Sequence, residues 1–150
     1  INQNFNGLLS KQLDSAELIE DFKDSANKVA RFYENLEFSK AMKEIMSLAD
    51  KANQYVDSKQ PWVLIKEEGN EELVQSICTT SINLFRILTV MLHPVIPGFT
   101  DTALKFLNEE EISWDSIDTP LLGCEVNAFE PIVIRIDDKQ ISQLLGEENG

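Results

Sequence analysis

Apolar residues recur at helical spacing in two consecutive segments of the chain. The first segment, "DSAELIEDFKDSANKVARFYENL", starts at Asp14, and either Asp14 or Ser15 can serve as its N-cap. A second stripe follows after a short break at residues 35–37. Intervals of three and four residues place each stripe on one helix face, and the short break predicts an antiparallel hairpin. The two stripes are Leu18, Ile19, Phe22, Ala26, Val29, Ala30 and Tyr33, then Phe38, Ala41, Met42, Ile45, Leu48, Ala49, Ala52, Tyr55 and Val56.

Pro61 interrupts the helical pattern directly after the second stripe. Proline lacks an amide donor and disfavours the helical region for the residue before it, which is Gln60 here. Trp62 therefore stands at a junction between helices, where its ring need not pack into a helix interface.

A third helix is predicted from about Glu71 to Leu92. Its apolar residues cover most of its circumference, which is typical of a helix in the middle of a bundle. Pro94 and Pro97 then break the chain, and a shorter helix is predicted from about Thr100 to Leu107.

The pattern changes after residue 107. Turn residues become frequent, and a β-branched run from Ile132 to Ile136 is either a short strand or an extended tail on the bundle. A weak helix is predicted from Asp138 to Leu145. The fold class predicted for the single domain, residues 1–150, is all-α: an antiparallel helix bundle over about residues 1–107 and a short extended C-terminal tail, residues 108–150, that packs on it.

Composition is consistent with one globular domain, because the chain has 150 residues of which 43% are hydrophobic. Cys78 and Cys124 share no C-x-x-C spacing, so we expect two reduced thiols. No apolar run approaches the roughly 20 residues that span a bilayer, and we expect a soluble, cytoplasmic protein without a membrane partner. The chain begins at Ile1 without an initiator Met, and we expect it to be a piece of a longer protein.

The net charge of −13 argues against a general nucleic-acid binder, and we expect no DNA partner. RNA would have to bind locally, through shape and stacking. His93 is the one histidine, and at a helix end it more often caps or packs than catalyses. The sequence has no phosphate-binding glycine loop and no metal-binding motif. We therefore expect no catalytic residue, no metal site and no catalysis by this chain alone.

The segments "EIMSLADKANQYVDSKQPWVLIK", "ICTTSINLFRILTVMLHPVIP" and "FLNEEEISWDSIDTPLLG" resemble the C-terminal anticodon-binding domain of bacterial methionyl-tRNA synthetase, a class I aminoacyl-tRNA synthetase. The resemblance extends from Ile1 to about Gln143. Its most diagnostic pattern is A-N-x-Y followed by five residues and P-W, on Ala52, Asn53, Tyr55, Pro61 and Trp62. The W-D-x-I and P-L-L-G motifs in residues 114–123 favour methionine over the related synthetases for valine, leucine and isoleucine.

The resemblance implies that Trp62 stacks on an anticodon base of methionine tRNA and that Pro61 shapes this contact. Aromatic side chains commonly stack on splayed single-stranded bases. The alternative is structural, with Trp62 filling the seam between the second and third helices.

Further residues near the junction are candidates for the same site. Asn53 and Tyr55 either reach the anticodon loop or brace the Trp62 segment, and we favour bracing for both. Lys59 and Lys66 flank Trp62 and can contact phosphates or be ordinary surface lysines. We also expect Arg86 to pair with a carboxylate inside the bundle.

The resemblance also implies what lies outside the chain. The family's other anticodon-reading residues, an Asn and an Arg, precede the position of Ile1. The family's catalytic domain, which uses ATP, is also missing from the chain, and whether that domain also holds zinc is left open. The implied partners are the CAU anticodon loop of methionine tRNA and that catalytic domain. Two alternatives remain: a helical protein-interaction module without an RNA role, and the anticodon domain of another class I synthetase.

Overall fold

The computed structural model describes residues 1–130, and within them it confirms an all-α antiparallel bundle. The predicted strand at residues 132–136 and helix at residues 138–145 lie outside the described residues. The elements are α1 (Asn2–Phe5), α2 (Ala16–Glu34), α3 (Phe38–Lys59), α4 (Pro61–Leu64), α5 (Glu71–Leu92), α6 (Pro97–Leu107) and a 3₁₀ turn (Trp114–Asp118).

Helix α5 lies at the centre of the bundle and packs against α2, α3, α4, α6 and the 3₁₀ turn. It begins and ends at the residues predicted from its apolar pattern. The two amphipathic stripes of α2 and α3 face it, and the core contains Ile19, Phe22, Val29, Ala41, Ile45, Ile77, Leu84, Ile87 and Met91. Each of these side chains except that of Ala41 contributes roughly 1.5–3 kcal/mol on burial.

The apolar character of α5 has a second consequence. By length and composition alone, this helix is long and apolar enough to cross a membrane, so the expectation that no such segment occurs is wrong here. However, 61% of its most apolar 18-residue window is buried inside the bundle. A helix with neighbours on several sides must be apolar on those sides, and this packing explains the composition of α5.

Polar side chains on α5 bind the two non-helical parts of the chain. Thr79 Oγ1 accepts a hydrogen bond from the backbone N–H of Ser10 at 2.8 Å. Asn83, which is 2% exposed, accepts from the backbone N–H of Leu121 at 2.7 Å and donates to the carbonyl of Leu121 at 3.0 Å. Because buried polar groups are costly without partners, these residues fix where each segment crosses the bundle.

The described part of the tail packs on the bundle and on the N-terminal segment. Residues 123–126 run antiparallel to residues 7–10, with a bridge between Leu8 and Glu125. Gly7 has φ +81°, and a Cβ there would lie 2.3 Å from the carbonyl oxygen of Val126, so this close approach requires glycine.

Arg86 holds the 3₁₀ turn and the segment before it. This side chain is buried, and its guanidinium forms a two-pronged ion pair with the Glu109 carboxylate at 2.6 Å for both contacts. It also donates to the carbonyls of Ser116 and Thr119. The prediction that Arg86 pairs with a carboxylate inside the bundle is confirmed. Trp114 is partly buried and packs against the main core.

Candidate functional site

Residues 59–64 are named here the Trp62 turn. They comprise the last residue of α3, Gln60 and the whole of α4. Helix α3 ends at Lys59, and Gln60 adopts the left-handed conformation with φ 47° and ψ 55°. The N–H of Gln60 still donates to the carbonyl of Val56 at 3.0 Å, while its own carbonyl accepts from Val63 at 2.8 Å. A single residue therefore closes one helix and starts the next. Gln60 leaves the right-handed helical region, as predicted for a residue before proline, but its conformation is left-handed rather than the extended one that proline usually favours.

Pro61 occupies the first position of α4, where the missing N–H does no harm and the fixed φ is already helical. It also lines an apolar groove of about 270 Å³ that includes Val56, Cys78 and Ile82. Farther along α4, Leu64 packs against the main core. The contact of Leu64 with the core attaches the short helix to the bundle, and the ring of Pro61 restricts the backbone where that helix begins.

Trp62 is 51% exposed, although it lies between these two anchored residues. A Trp that filled the seam between helices would have most of its ring buried. The exposure argues against the structural alternative and leaves one part of the ring in contact with solvent. The sequence predicted a junction at this position but not the four-residue helix that carries the ring.

A buried ionic cluster lies beside the last two turns of α3. One carboxylate oxygen of Asp14, Oδ2, accepts hydrogen bonds from the Tyr55 hydroxyl at 2.8 Å and from Lys59 Nζ at 2.8 Å. The Asp14 side chain is only 9% exposed, whereas that of Lys59 is 38% exposed. Burial raises the pKa of the Tyr55 phenol well above its usual range, and the hydrogen bond to Asp14 raises it further.

The cluster corrects the expected helix cap. Helix α2 begins at Ala16 with Ser15 at the N-cap position, and the Ser15 side chain forms no capping hydrogen bond. Asp14 does not cap the helix either, because its carboxylate is bound by two residues of α3. The carboxylate has an ammonium ion and a phenol of α3 as its partners, so a tertiary contact replaced the local one.

Two of the predicted site residues, Asn53 and Lys66, are exposed. Asn53 lies on α3, six residues before the last residue of that helix. Lys66 is exposed in the connection that follows α4. Tyr55 is 9% exposed and its hydroxyl donates to Asp14, so it is directed into the bundle rather than toward solvent. Sequence reasoning offered Asp14 or Ser15 as the helix cap and missed the place of Asp14 in this cluster, and no local signal could have placed it there.

The histidine and the two cysteines lie away from the Trp62 turn in the sequence. His93 is exposed at the end of α5, and its Nδ1 lies 2.7 Å from the buried Thr100 Oγ1. Cys78 and Cys124 are free, and burial raises the pKa of the Cys78 thiol. Within residues 1–130, His, Cys, Asp and Glu form no group of three or more that could hold a metal ion.

The fold and the site together define a helical domain with a half-exposed Trp62 on a short helix between α3 and α5. Residues 10–143 match the family described as the anticodon binding domain of methionyl tRNA ligase. Because this match covers most of the chain, the chain belongs to that family.

Solved structures of methionyl-tRNA synthetase from Mycobacterium tuberculosis have the same fold. The free form superimposes with a TM-score of 0.80 at 19% identity, over 90% of this chain and 29% of that chain. The complex with methionyl-adenylate gives a TM-score of 0.76 at 20% identity, over 89% and 28% of the two chains. The chain spans less than a third of the length of these proteins.

Proposed function

We propose that the Trp62 turn recognises the CAU anticodon of methionine tRNA, with the Trp62 ring stacked on an anticodon base. The observation that carries this proposal is the half-exposed ring on a turn whose backbone is fixed. Stacking contributes roughly 1–3 kcal/mol per base. Because Pro61 and Leu64 already hold the turn, little further ordering is needed when the base arrives.

Neighbouring polar residues complete the proposed site. Asn53 is exposed near the end of α3, and its amide can both donate to and accept from a base edge. Lys66 is exposed and free to approach a phosphate. Lys59 is already paired with Asp14, so we assign it a weaker phosphate role than Lys66.

The charge of the chain determines how such a site gains affinity. A net charge of −13 repels phosphates, and few lysines stand beside Trp62. Affinity that depends on many phosphate contacts falls steeply with salt. We therefore expect a weak salt dependence together with a strong dependence on anticodon sequence.

Family membership supports a wider proposal about the whole protein. We propose that this domain selects methionine tRNA for ATP-dependent attachment of methionine, that the catalytic domain binds ATP and any zinc, and that the enzyme is cytoplasmic. The tRNA and that catalytic domain are then the two partners of this chain. The match to an anticodon-binding family favours this function over a protein-interaction module.

The test measures binding of fluorescent anticodon stem-loops, with CAU and each single-base variant, to this chain extended upstream by one helix. Trp62→Ala is expected to lower the preference for CAU about 5- to 150-fold, which corresponds to the 1–3 kcal/mol of a lost stack. Because Trp62 is half exposed, the variant should keep its helical circular dichroism and melting temperature.

Leu36→Ala is the matched control. Leu36 is a 75% exposed apolar residue just before the other end of α3, about 33 Å away along that helix. It should leave binding of every stem-loop unchanged. Equal binding of all loops by the unmutated protein would contradict the proposal and favour the interaction module. Preference for a different anticodon would indicate another synthetase.

A further inference from the structure

We infer that Asp14 is a positioning residue for anticodon recognition: it orients Trp62 by holding the last turn of α3. The inference rests on the proposed function of the Trp62 turn. Asp14 lies 48 residues before Trp62 in the sequence, and the fold brings its carboxylate to the helix end from which that turn leaves.

The contacts of the Asp14 side chain all go to the end of α3. Its Oδ2 binds both the Tyr55 hydroxyl and Lys59 Nζ at 2.8 Å, and these two residues are one helical turn apart. Lys59 Nζ also lies 5.8 Å from the centre of the Tyr55 ring, within the range of a cation–π contact. The three side chains therefore form one compact cluster, in which a buried carboxylate has both a cation and a hydroxyl donor.

The backbone of Asp14 is attached to a different element. Its N–H donates to Thr80 Oγ1 at 2.9 Å, and the Thr80 hydroxyl donates to the carbonyl of Ser76 at 3.0 Å. Thr80 is fully buried in α5. Asp14, which precedes α2, thus links the end of α3 to the central helix of the bundle.

The position of Lys59 gives this link its effect on Trp62. Lys59 is the last residue of α3, and only Gln60 and Pro61 separate it from Trp62. Helix ends fray when their side chains lose partners, and the left-handed conformation of Gln60 is unfavourable for a residue with a Cβ. Without the Asp14 contacts, the last turn is expected to open and the ring to sample several directions.

A positioning role and a phosphate role for Lys59 predict opposite results. If Asp14 holds Lys59 for the sake of Trp62, removing the carboxylate charge weakens discrimination between anticodons. If Lys59 instead serves phosphates, freeing it from Asp14 strengthens binding of every loop, because a competing negative charge has gone.

The experiment compares Asp14→Asn with Asp21→Asn in the extended chain used above. Asp21 Oδ2 pairs with Lys51 Nζ of α3 at 2.8 Å. This ion pair resembles that of Asp14 with Lys59, but both of its side chains are about half exposed. The two variants change the net charge equally. Asp14→Asn is expected to lower the preference for CAU by roughly tenfold, equivalent to about 1.4 kcal/mol, and Asp21→Asn to leave it unchanged.

A second readout separates positioning from loss of fold. In a Trp114→Phe background, Trp62 is the one remaining tryptophan of the printed chain, so fluorescence anisotropy reports its motion. Asp14→Asn should lower the anisotropy of Trp62 at a temperature where circular dichroism shows an intact bundle. If Asp14→Asn does not fold, Lys59→Gln against Lys51→Gln tests the same link and should give the same loss of discrimination.

Each remaining outcome overturns one proposal. Equal discrimination by Asp14→Asn, Asp21→Asn and the unmutated protein overturns the positioning role and leaves the proposed function intact. Tighter binding of all loops by Asp14→Asn overturns it in favour of a phosphate contact by Lys59. Absence of any CAU preference in the unmutated protein overturns the proposed function itself.

Discussion

The two ends of α3 reverse the chain in related ways and differ in what holds them. The Leu36 turn, residues 34–38, connects α2 to α3, and the Trp62 turn connects α3 to α4. Each contains a non-glycine residue in the left-handed conformation, Leu36 with φ 59° and Gln60 with φ 47°. Each also exposes a large apolar side chain, Leu36 at 75% and Trp62 at 51%.

The Leu36 turn is held by backbone and aromatic contacts. The N–H of Glu37 donates to the carbonyl of Phe32 at 2.8 Å and that of Leu36 to the carbonyl of Tyr33 at 3.0 Å, which is the Schellman pattern of a helix end. The Tyr33 hydroxyl donates to the carbonyl of Met91 at 2.7 Å, and its ring lies 5.9 Å from that of Phe38.

The Trp62 turn is held instead by a proline and by a buried ionic cluster. Its exposed aromatic ring follows the left-handed residue and sits on a helix of its own, whereas the exposed Leu36 side chain belongs to the strained residue itself. Exposed apolar side chains occur at both turns, including the half-exposed Phe38 at the start of α3, so exposure alone does not mark a binding site. The two turns differ in the contacts that hold them.

The largest expected effect on the free energy of unfolding comes from removing the tyrosine hydroxyl that lies at each end of α3. Tyr55→Phe should lower the free energy of unfolding by about 1.5–3 kcal/mol, because its partner is the charged Asp14 carboxylate. Tyr33→Phe should lower it by about 0.5–1.5 kcal/mol, because its partner is the neutral carbonyl of Met91. Urea denaturation measures both. Equal losses would mean that the ionic cluster holds its end no better than neutral contacts do.

Alkaline pH should weaken both ends more gradually. Burial raises the pKa of Tyr33 and of Tyr55 above the ordinary value of 10.0. The folded state then retains phenolic protons that the unfolded state loses, so the extra stability is present below pH 10 and is lost as pH rises above it, by at most about 1.4 kcal/mol per pH unit for each proton.

Denaturation of the two Phe variants between pH 9 and pH 11.5 checks this dependence. Tyr55→Phe should flatten the alkaline fall in stability more than Tyr33→Phe, since the Tyr55 shift is the larger and includes the Asp14 contact. A fall that is equally steep without Tyr55 would assign the alkaline transition to other groups.

The smallest effect tests the strain at the Leu36 turn. Leu36→Gly should raise the free energy of unfolding by up to about 1 kcal/mol, because glycine adopts positive φ without strain. Leu36→Ala keeps the Cβ and should give no gain. Thermal unfolding of the two variants compares them, and an equal gain in both would show that loss of the exposed side chain, rather than backbone relief, stabilises the protein.

Much of the fold could be predicted because helical periodicity is a local property. The limits of α5 were predicted to the residue, and α2 and α3 followed from their stripes. Helix α6 begins at Pro97 rather than Thr100, since proline fits the first helical position. The wrong expectation about membrane-spanning segments arose because composition does not distinguish a central core helix from a membrane helix.

The sequence by itself determined the long helices, the break at Pro61 and the family resemblance, since each depends on residues close together in the chain or on a recognisable motif. It left open whether Trp62 is exposed or fills the seam between helices, and the structure decided this. Only the tertiary structure decided which side chains meet across helices. Asp14 binds Tyr55 and Lys59 instead of capping α2, because partner choice depends on the rotation and crossing of packed helices, which no pattern within one segment encodes.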